Sequence, residues 1–225
     1  MSVRNAYSWR KLYAEGINMD LRVKKLEVRM DRNRRKGRKH RILFLDFDGV
    51  VNVPYTFGTP EYEDAMARGV YDFFRPEIVE RLNRLIHEYD LKVVISSSWR
   101  WQGIDFCRNS LYEAGFDQDV AVEGLTPTPE DYPPRHQEIL DYLDGVRDVT
   151  AILILDDIPM RVLSDYAVET VFDDGYTAEC DTTARAILDR QCSASAPHSS
   201  KMPPWVIPAV LAAIVAAVLL LRMFL

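Results

Sequence analysis

The sequence predicts an α/β domain in which a parallel sheet carries helices on both faces, followed by a membrane-spanning tail. Three observations predict the domain. The apolar runs ending at Leu45, Ile95 and Leu155 are long enough for buried strands. They alternate with stretches of helical periodicity, the pattern of parallel β-α-β units. Each run also ends in polar residues, Asp46-Phe47-Asp48-Gly49, Ser96-Ser97-Ser98 and Asp156-Asp157. Open α/β sheets place their chemistry at this carboxyl edge.

Residues 1–41 carry 14 Lys/Arg against 4 Asp/Glu, a net of +10, whereas residues 42–225 carry 14 against 30, a net of −16. The first 40 residues therefore read as a basic extension, densest from Arg32 to Arg41 and mobile in isolation because like charges repel. Upstream, Met19, Leu21, Val23, Leu26, Val28 and Met30 fit neither helix nor strand cleanly, and a short basic amphipathic helix is one reading. The block suits nucleic acid, an anionic membrane surface, or merely a solvated counterweight to an acidic domain.

The domain itself spans residues 41–192. Its first strand covers 42–47, and the Pro/Gly/Tyr-rich stretch from Pro54 to Arg75 reads as a flap too short to be a cap domain. Helix 76–89 starts at Pro76 and places Ile78, Leu82, Leu85, Ile86 and Tyr89 on one face. Strand 91–95 and helix 104–114, stopped by Gly115, come next. Residues 116–134, with four prolines, read as an irregular loop. Helix 135–144, strand 150–155, a short helix at 159–166, a strand at 168–172 and helix 181–191 complete the domain. Asp173-Asp174-Gly175 reads as a turn in preference to a metal-binding pair.

Residues 193–204, rich in Ser, Ala and Pro, form a linker, and 205–225 form the tail. Trp205 to Leu221 is 17 residues without a charge. At 1.5 Å per residue it spans about 25 Å, the short end of the membrane-crossing range. It is apolar on every face, unlike a surface-packed helix. Trp205 suits the near interface and Arg222 can snorkel to the far one. Met1 to Asp20 has no apolar signal-peptide core. The expectation is a single-pass C-terminal anchor with the domain in the cytoplasm. Lys201 and Arg222 flank the span evenly, so charge does not set its orientation. Cys107, Cys180 and Cys192 are scattered, which excludes a Cys-x-x-Cys zinc or disulfide framework and fits a reducing compartment.

Chemistry concentrates at the strand ends. Asp46 and Asp48, one residue apart, repel each other. A divalent cation relieves that, and their hard oxygens suit Mg²⁺. One of the two can also act as a nucleophile toward phosphorus. Asp-x-Asp-Gly opens calcium loops as well, but here a strand precedes it, and Phe57 stands where a calcium loop carries its glutamate. A hydroxyl of Ser96 or Ser97 can donate to a phosphate oxygen, and Arg135, just ahead of a helix, can pair with one. Asp156 and Asp157 add a second acidic pair. Trp99 and Trp101 read as core aromatics ahead of base-stacking platforms, and Arg100 reads equally as a buried ion pair or a phosphate clamp.

Taken in order, Asp46-Phe47-Asp48-Gly49-Val50, Ser96, Arg135 and Asp156-Asp157 resemble the four motifs of the haloacid dehalogenase (HAD) superfamily of phosphohydrolases, over about residues 40–180. A narrower resemblance, to the small HAD domains of RNA-repair proteins, is carried by Val94 to Arg100, Gly124-Leu125-Thr126-Pro127 and Arg135 to Ile139. The resemblance implies a Rossmann-like three-layer α/β/α fold with a central parallel sheet and minimal cap. It also implies residue roles. Asp46 would attack phosphorus, and Asp48 would serve as acid and then base. Ser96 (with Ser97 as runner-up) and Arg135 would hold the phosphoryl oxygens. Asp46, the carbonyl of Asp48 and Asp156 would hold Mg²⁺, supported by Asp157. Arginine stands where the superfamily usually has lysine.

The function expected is thus a membrane-tethered, Mg²⁺-dependent phosphatase of nucleic-acid ends, nucleotides or other phosphate esters. The alternative is a membrane-anchored scaffold that kept the fold without turnover. The second Asp of the first motif, Asp48, favours the enzyme, since a scaffold has no need of it.

Overall fold

A computed structural model describes residues 3–68, 74–128 and 133–193, with side-chain environments from residue 18 onward. Five strands form one all-parallel sheet: β1 (His40–Leu45), β2 (Leu91–Ile95), β3 (Val122–Leu125), β4 (Val149–Asp156) and β5 (Ala167–Glu169), in the spatial order β3-β2-β1-β4-β5. β1 lies at the centre, with Leu45 opposite Ile95 of β2 and Leu155 of β4. The ends of the three apolar runs thus fall side by side. Every residue of β4 is buried, as a strand covered on both faces requires.

The described residues form six helices: α1 (Val3–Arg35), α2 (Pro60–Ala67), α3 (Pro76–Tyr89), α4 (Ile104–Glu113), α5 (Arg135–Gly145) and α6 (Ala178–Ser193). Two short 3₁₀ turns, Ser98–Gln102 and Arg161–Tyr166, follow β2 and precede β5. Alternation along β1 sorts the layers. Leu43 and Leu45 face a core built with α3, α4 and α6, while Ile42 and Phe44 face one built with α1 and α5. This three-layer α/β/α arrangement is the expected Rossmann-like fold.

The N-terminal stretch takes the helical reading offered for Met19 to Met30 and extends it to Val3–Arg35, into the block read as mobile. Its described part is a helix, and Met19, Val23, Leu26 and Met30 form its inner stripe, with Leu26 and Met30 fully buried. Leu21 and Val28 point outward, 51% and 69% exposed. Basic side chains fasten the helix to the domain. Arg22 bridges Asp141 and Asp144 at 2.7 Å each, Arg29 donates to Leu143 O (2.8 Å) and Arg34 to Thr150 O (2.7 Å). Buried Asn33 donates to the carbonyls of Arg147 and Val149 (3.0 and 2.9 Å). Gly37, at φ +73°, ends the helix: its N–H bonds Arg34 O (2.9 Å) and that of Arg38 bonds Asn33 O (3.2 Å). This is a Schellman stop.

Three further departures are local. The loop predicted over 116–134 contains β3, which is only four residues long and has Gly124 at its centre, too little pattern to read as a strand. The predicted flap contains α2, started by Thr59 and Pro60. β5 ends at Glu169, three residues short of the predicted strand. Val171, Asp173, Asp174 and Gly175 form the predicted turn, with the N–H groups of Asp174 and Gly175 bonded to Val171 O (2.9 and 2.8 Å). Among the described residues no helix is long and apolar enough to cross a membrane. The linker beyond Ser193 and the apolar run 205–221 lie outside the described residues.

Candidate active site

Asp46 follows β1 directly, and its N–H donates to Leu155 O (3.0 Å), which extends the β1–β4 ladder by one rung. The carboxylate is thereby fixed at the carboxyl edge of the sheet. The chain then doubles back, with Phe47 O accepting from the N–H groups of Val50, Val51 and Asn52 at 2.8–3.1 Å. Gly49 makes this turn at φ +72°. A Cβ there would lie 2.8 Å from the Phe172 ring and 3.1 Å from Asp157 Oδ2, so glycine is what admits Asp157 to the site.

Asp156 ends β4 and is 1% exposed. Its Oδ1 accepts from Ile158 N (2.9 Å), while Oδ2 has no hydrogen-bond partner among the described residues. Asp46, Asp156 and Asp157 each present an oxygen within 4.8 Å of the others. Burial, and then the charge of Asp46, pushes the Asp156 carboxyl up to about 7. Burial also raises Asp46, against the pull of Arg135. Mutually repelling hard oxygens, one of them without a hydrogen bond, are what a divalent cation would satisfy, so the residues fit Mg²⁺.

Arg135, the first residue of α5, supplies positive charge from the protein. Its guanidinium lies 3.6 Å from Asp46 and 3.8 Å from Asp156, and it donates to Ser96 Oγ (3.4 Å). Ser96 and Ser97 are fully buried at the end of β2. The Ser97 hydroxyl accepts from Trp99 N (3.3 Å), which starts the 3₁₀ turn, and lies near enough to Asp46 to favour its charged form. Arg100 joins these parts, donating to Ser97 O (2.8 Å) and pairing with Glu138 of α5 at 2.7 Å, both side chains buried. Burial lowers Arg100 and raises Glu138 despite their attraction, so the pair serves placement more than stability.

The Asp48 carboxylate stands apart from the other three. Its Oδ1 accepts from Asn52 Nδ2 (2.7 Å) and its Oδ2 from Trp99 Nε1 (3.0 Å). The acidic cluster that could hold a metal therefore consists of Asp46, Asp156 and Asp157, without the Asp48 carboxylate expected among the metal-binding residues. The Trp99 indole is seated edge-on against Phe47 (5.2 Å) and Phe74 (5.8 Å).

Residues 42–180 match the family described as the HAD domain in Swiss Army Knife RNA repair proteins. The chain belongs to this family. No curated protein and no solved structure matches it. HAD domains are generally phosphatase-like, typically use Mg²⁺, and carry a phosphohydrolase-type function.

In this HAD domain all seven predicted site residues meet at one sheet edge: Asp46, Asp48, Ser96, Ser97, Arg135, Asp156 and Asp157. The reading of Arg100 as a buried ion pair holds, and Trp99 does pack on the core. Its indole N–H was the missed feature, because the tertiary fold alone aims it at Asp48. Trp101 is 56% exposed, so its assignment to the core is corrected: it sits past the end of β2, where neither core is in reach. It lines a cavity of about 440 Å³ beside the carboxyl edge, with His136, Ile158 and Arg161. His87, without ligand spacing in the sequence, meets Asp117 (2.8 Å) and Asp119 (3.7 Å) at the surface.

Proposed function

We propose that this chain is a Mg²⁺-dependent phosphohydrolase that works through an aspartyl-phosphate and is tethered to a membrane by its C-terminal apolar run. The carrying observation is that Asp46 and the Asp156 oxygen that accepts no hydrogen bond share the Arg135 guanidinium (3.6 and 3.8 Å), with Asp48 separately held by Asn52 and Trp99. One carboxylate thus sits in an electrophile-binding setting and the other in a proton-transfer setting. Asp46, Asp156, Asp157 and the Asp48 carbonyl would hold Mg²⁺, which supplies charge neutralisation at the phosphoryl oxygens.

The chain's own residues account for the proton and electron movements. Arg135, Ser96 and Ser97 bind the phosphoryl oxygens and hold phosphorus against Asp46. An Asp46 oxygen forms the bond to phosphorus as the ester bond breaks, and the departing oxygen takes the proton of Asp48. Asp48, now a carboxylate, removes a proton from a water that attacks the aspartyl-phosphate. Inorganic phosphate leaves and Asp46 is regenerated. Nucleic-acid ends and nucleotides are the proposed substrates, because the short segments between motifs leave the edge open and the adjoining cavity has room for a base beside Trp101.

The test is phosphate release by the full chain, with Mg²⁺ or with chelator, beside Asp46→Asn. The panel holds an aryl phosphate, nucleotides, and 3′- and 5′-phosphorylated oligonucleotides. Release that needs metal and Asp46 supports the enzyme, and the preferred substrate names its class. Absence of release from every substrate, in a folded chain that binds Mg²⁺, turns the reading to the scaffold.

A further inference from the structure

The catalytic residues occupy the carboxyl edge of the sheet, and the basic segment occupies the opposite edge. α1 ends at Arg35 and the chain enters β1 at His40, so Lys36 to Lys39 lie at the amino edge. β1 separates the two, six residues at about 3.3 Å each, or about 20 Å. Gly37 and the Schellman bonds give this segment a fixed shape. Arg32, Lys36, Arg38 and Lys39 are exposed and make no ion pair among the described residues. The nearby carboxylates are engaged elsewhere: Asp31 with Arg35 (2.7 Å), Asp90 with Lys92 (2.8 Å) and Asp148 with His40 (2.8 Å). Arg38 and Lys39 act on Asp148 and Asp90 only at longer range.

The chain also leaves the domain at this edge. α6 follows β5 and so runs back toward the strands' amino ends. Near its end, Cys192 lines a groove of about 300 Å³ with Arg34, Arg38, Lys39 and Arg41. In the sequence the apolar run begins at Trp205, thirteen positions after Cys192.

We infer that the amino edge of the sheet, through Arg32, Lys36, Arg38 and Lys39, docks on an anionic lipid headgroup surface and holds the active site facing away from the bilayer. The inference rests on the membrane-tether reading. Lipid is favoured over nucleic acid by position. A nucleic-acid end in the active site would have to turn around the domain to reach this edge, whereas the described chain ends beside it at Ser193, twelve positions before the apolar run. Juxtamembrane basic clusters bind anionic lipid in this way, and an anchor plus a basic patch hold better than either alone.

The experiment uses the full chain in nanodiscs of phosphatidylcholine alone or mixed with phosphatidylserine. Acetylation rates at single lysines are read by mass spectrometry. Modification of Lys36 and Lys39 is expected to slow about tenfold or more on the anionic discs and to recover in raised salt. Lys24 and Lys25, exposed and about 16 Å or more back along α1, should keep their rates. Arg32→Glu with Arg38→Glu should abolish the protection while phosphate release, measured as above, is unchanged. Equal rates on both discs in an inserted chain overturn the docking and leave the tether standing. A chain that enters neither disc ends the tether and the docking with it. Stronger protection by an oligonucleotide than by anionic discs makes nucleic acid the occupant and overturns the inference.

Discussion

Trp99→Phe isolates one hydrogen bond. The phenyl ring keeps the edge-on packing against Phe47 and Phe74 but removes the indole N–H that reaches Asp48 Oδ2 at 3.0 Å. A hydrogen bond to a charged group is worth about 1.5–3 kcal/mol. At about 1.4 kcal/mol per decade, that is a loss of about 10- to 100-fold in kcat if the bond matters to the proton transfer. Asn52 still holds Oδ1 (2.7 Å), so the loss should fall short of that in Asp48→Asn. The leaving group gives the sharper test. An alkoxide leaving group needs the Asp48 proton more than a phenoxide does, so Trp99→Phe should slow an alkyl phosphate much more than an aryl phosphate, with KM nearly unchanged. In the Asp48→Asn background the further loss from Trp99→Phe should disappear, since the two act as one unit. Equal loss on both substrates, or full additivity with Asp48→Asn, would refute a role for Trp99 in positioning the acid.

Four other outcomes follow from the same contacts. Mg²⁺ should raise the melting temperature of the full chain, by about 2.7 kcal/mol of stability at a hundredfold excess over Kd, and Asp156→Asn should remove most of that shift. Leu26→Ala, which opens a cavity under α1, should cost about 2–5 kcal/mol in denaturant unfolding; a cost near zero would mean α1 is not part of the folded unit. Glu138→Ala leaves Arg100 charged and buried, and should cost about 3–5 kcal/mol as well as loosening the Ser97 turn, read as a rise in KM. Burial opposes the charged form of His40, but hydrogen bonds and charges from Asp148 and Glu123 prevail and raise its pKa. Its stabilisation is therefore full below the unfolded value of about 6.5 and fades as pH rises through the higher folded value, so the stability gap between wild type and His40→Gln should close on the alkaline side.

The polar carboxyl edge of the sheet was legible in the sequence because its signals are local. A strand that stops at a carboxylate tells where that carboxylate goes, and Pro76 with the five-residue apolar face gave α3 at both boundaries. What was hidden depends on the fold closing. In α1, six apolar residues blur two sets. Met19, Val23, Leu26 and Met30 repeat every three or four residues and face the domain, while Leu21 and Val28, seven apart, face outward. Without the acceptors at Leu143, Arg147, Val149 and Thr150, the basic residues read as charge alone. β3 was hidden for another reason. It pairs with β2 over three residues only, and its alignment is supplied by β2, not by its own pattern. The indole of Trp99 meets Asp48 from 51 positions away, a distance at which spacing carries no information.

The charge division in the sequence, +10 before residue 42 and −16 after it, becomes spatial in this fold, and that constrains the chemistry. The exposed basic edge lies about 20 Å from Asp46, more than twice the screening length of about 8 Å at physiological salt. Arg32, Lys36, Arg38 and Lys39 therefore cannot neutralise the acidic edge or draw an anionic substrate into it. Compensation for Asp46, Asp156, Asp157 and the incoming phosphate has to be local. Arg135 supplies one charge against three carboxylates, which leaves room for a divalent cation and a reason for one. The two ends should accordingly respond to salt independently: reversing charge at Arg32 and Arg38 should alter lipid contact without moving kcat/KM for a small phosphate ester. A change in kcat/KM with those substitutions would mean that the basic edge reaches the site by some route other than the field, such as a substrate long enough to touch both.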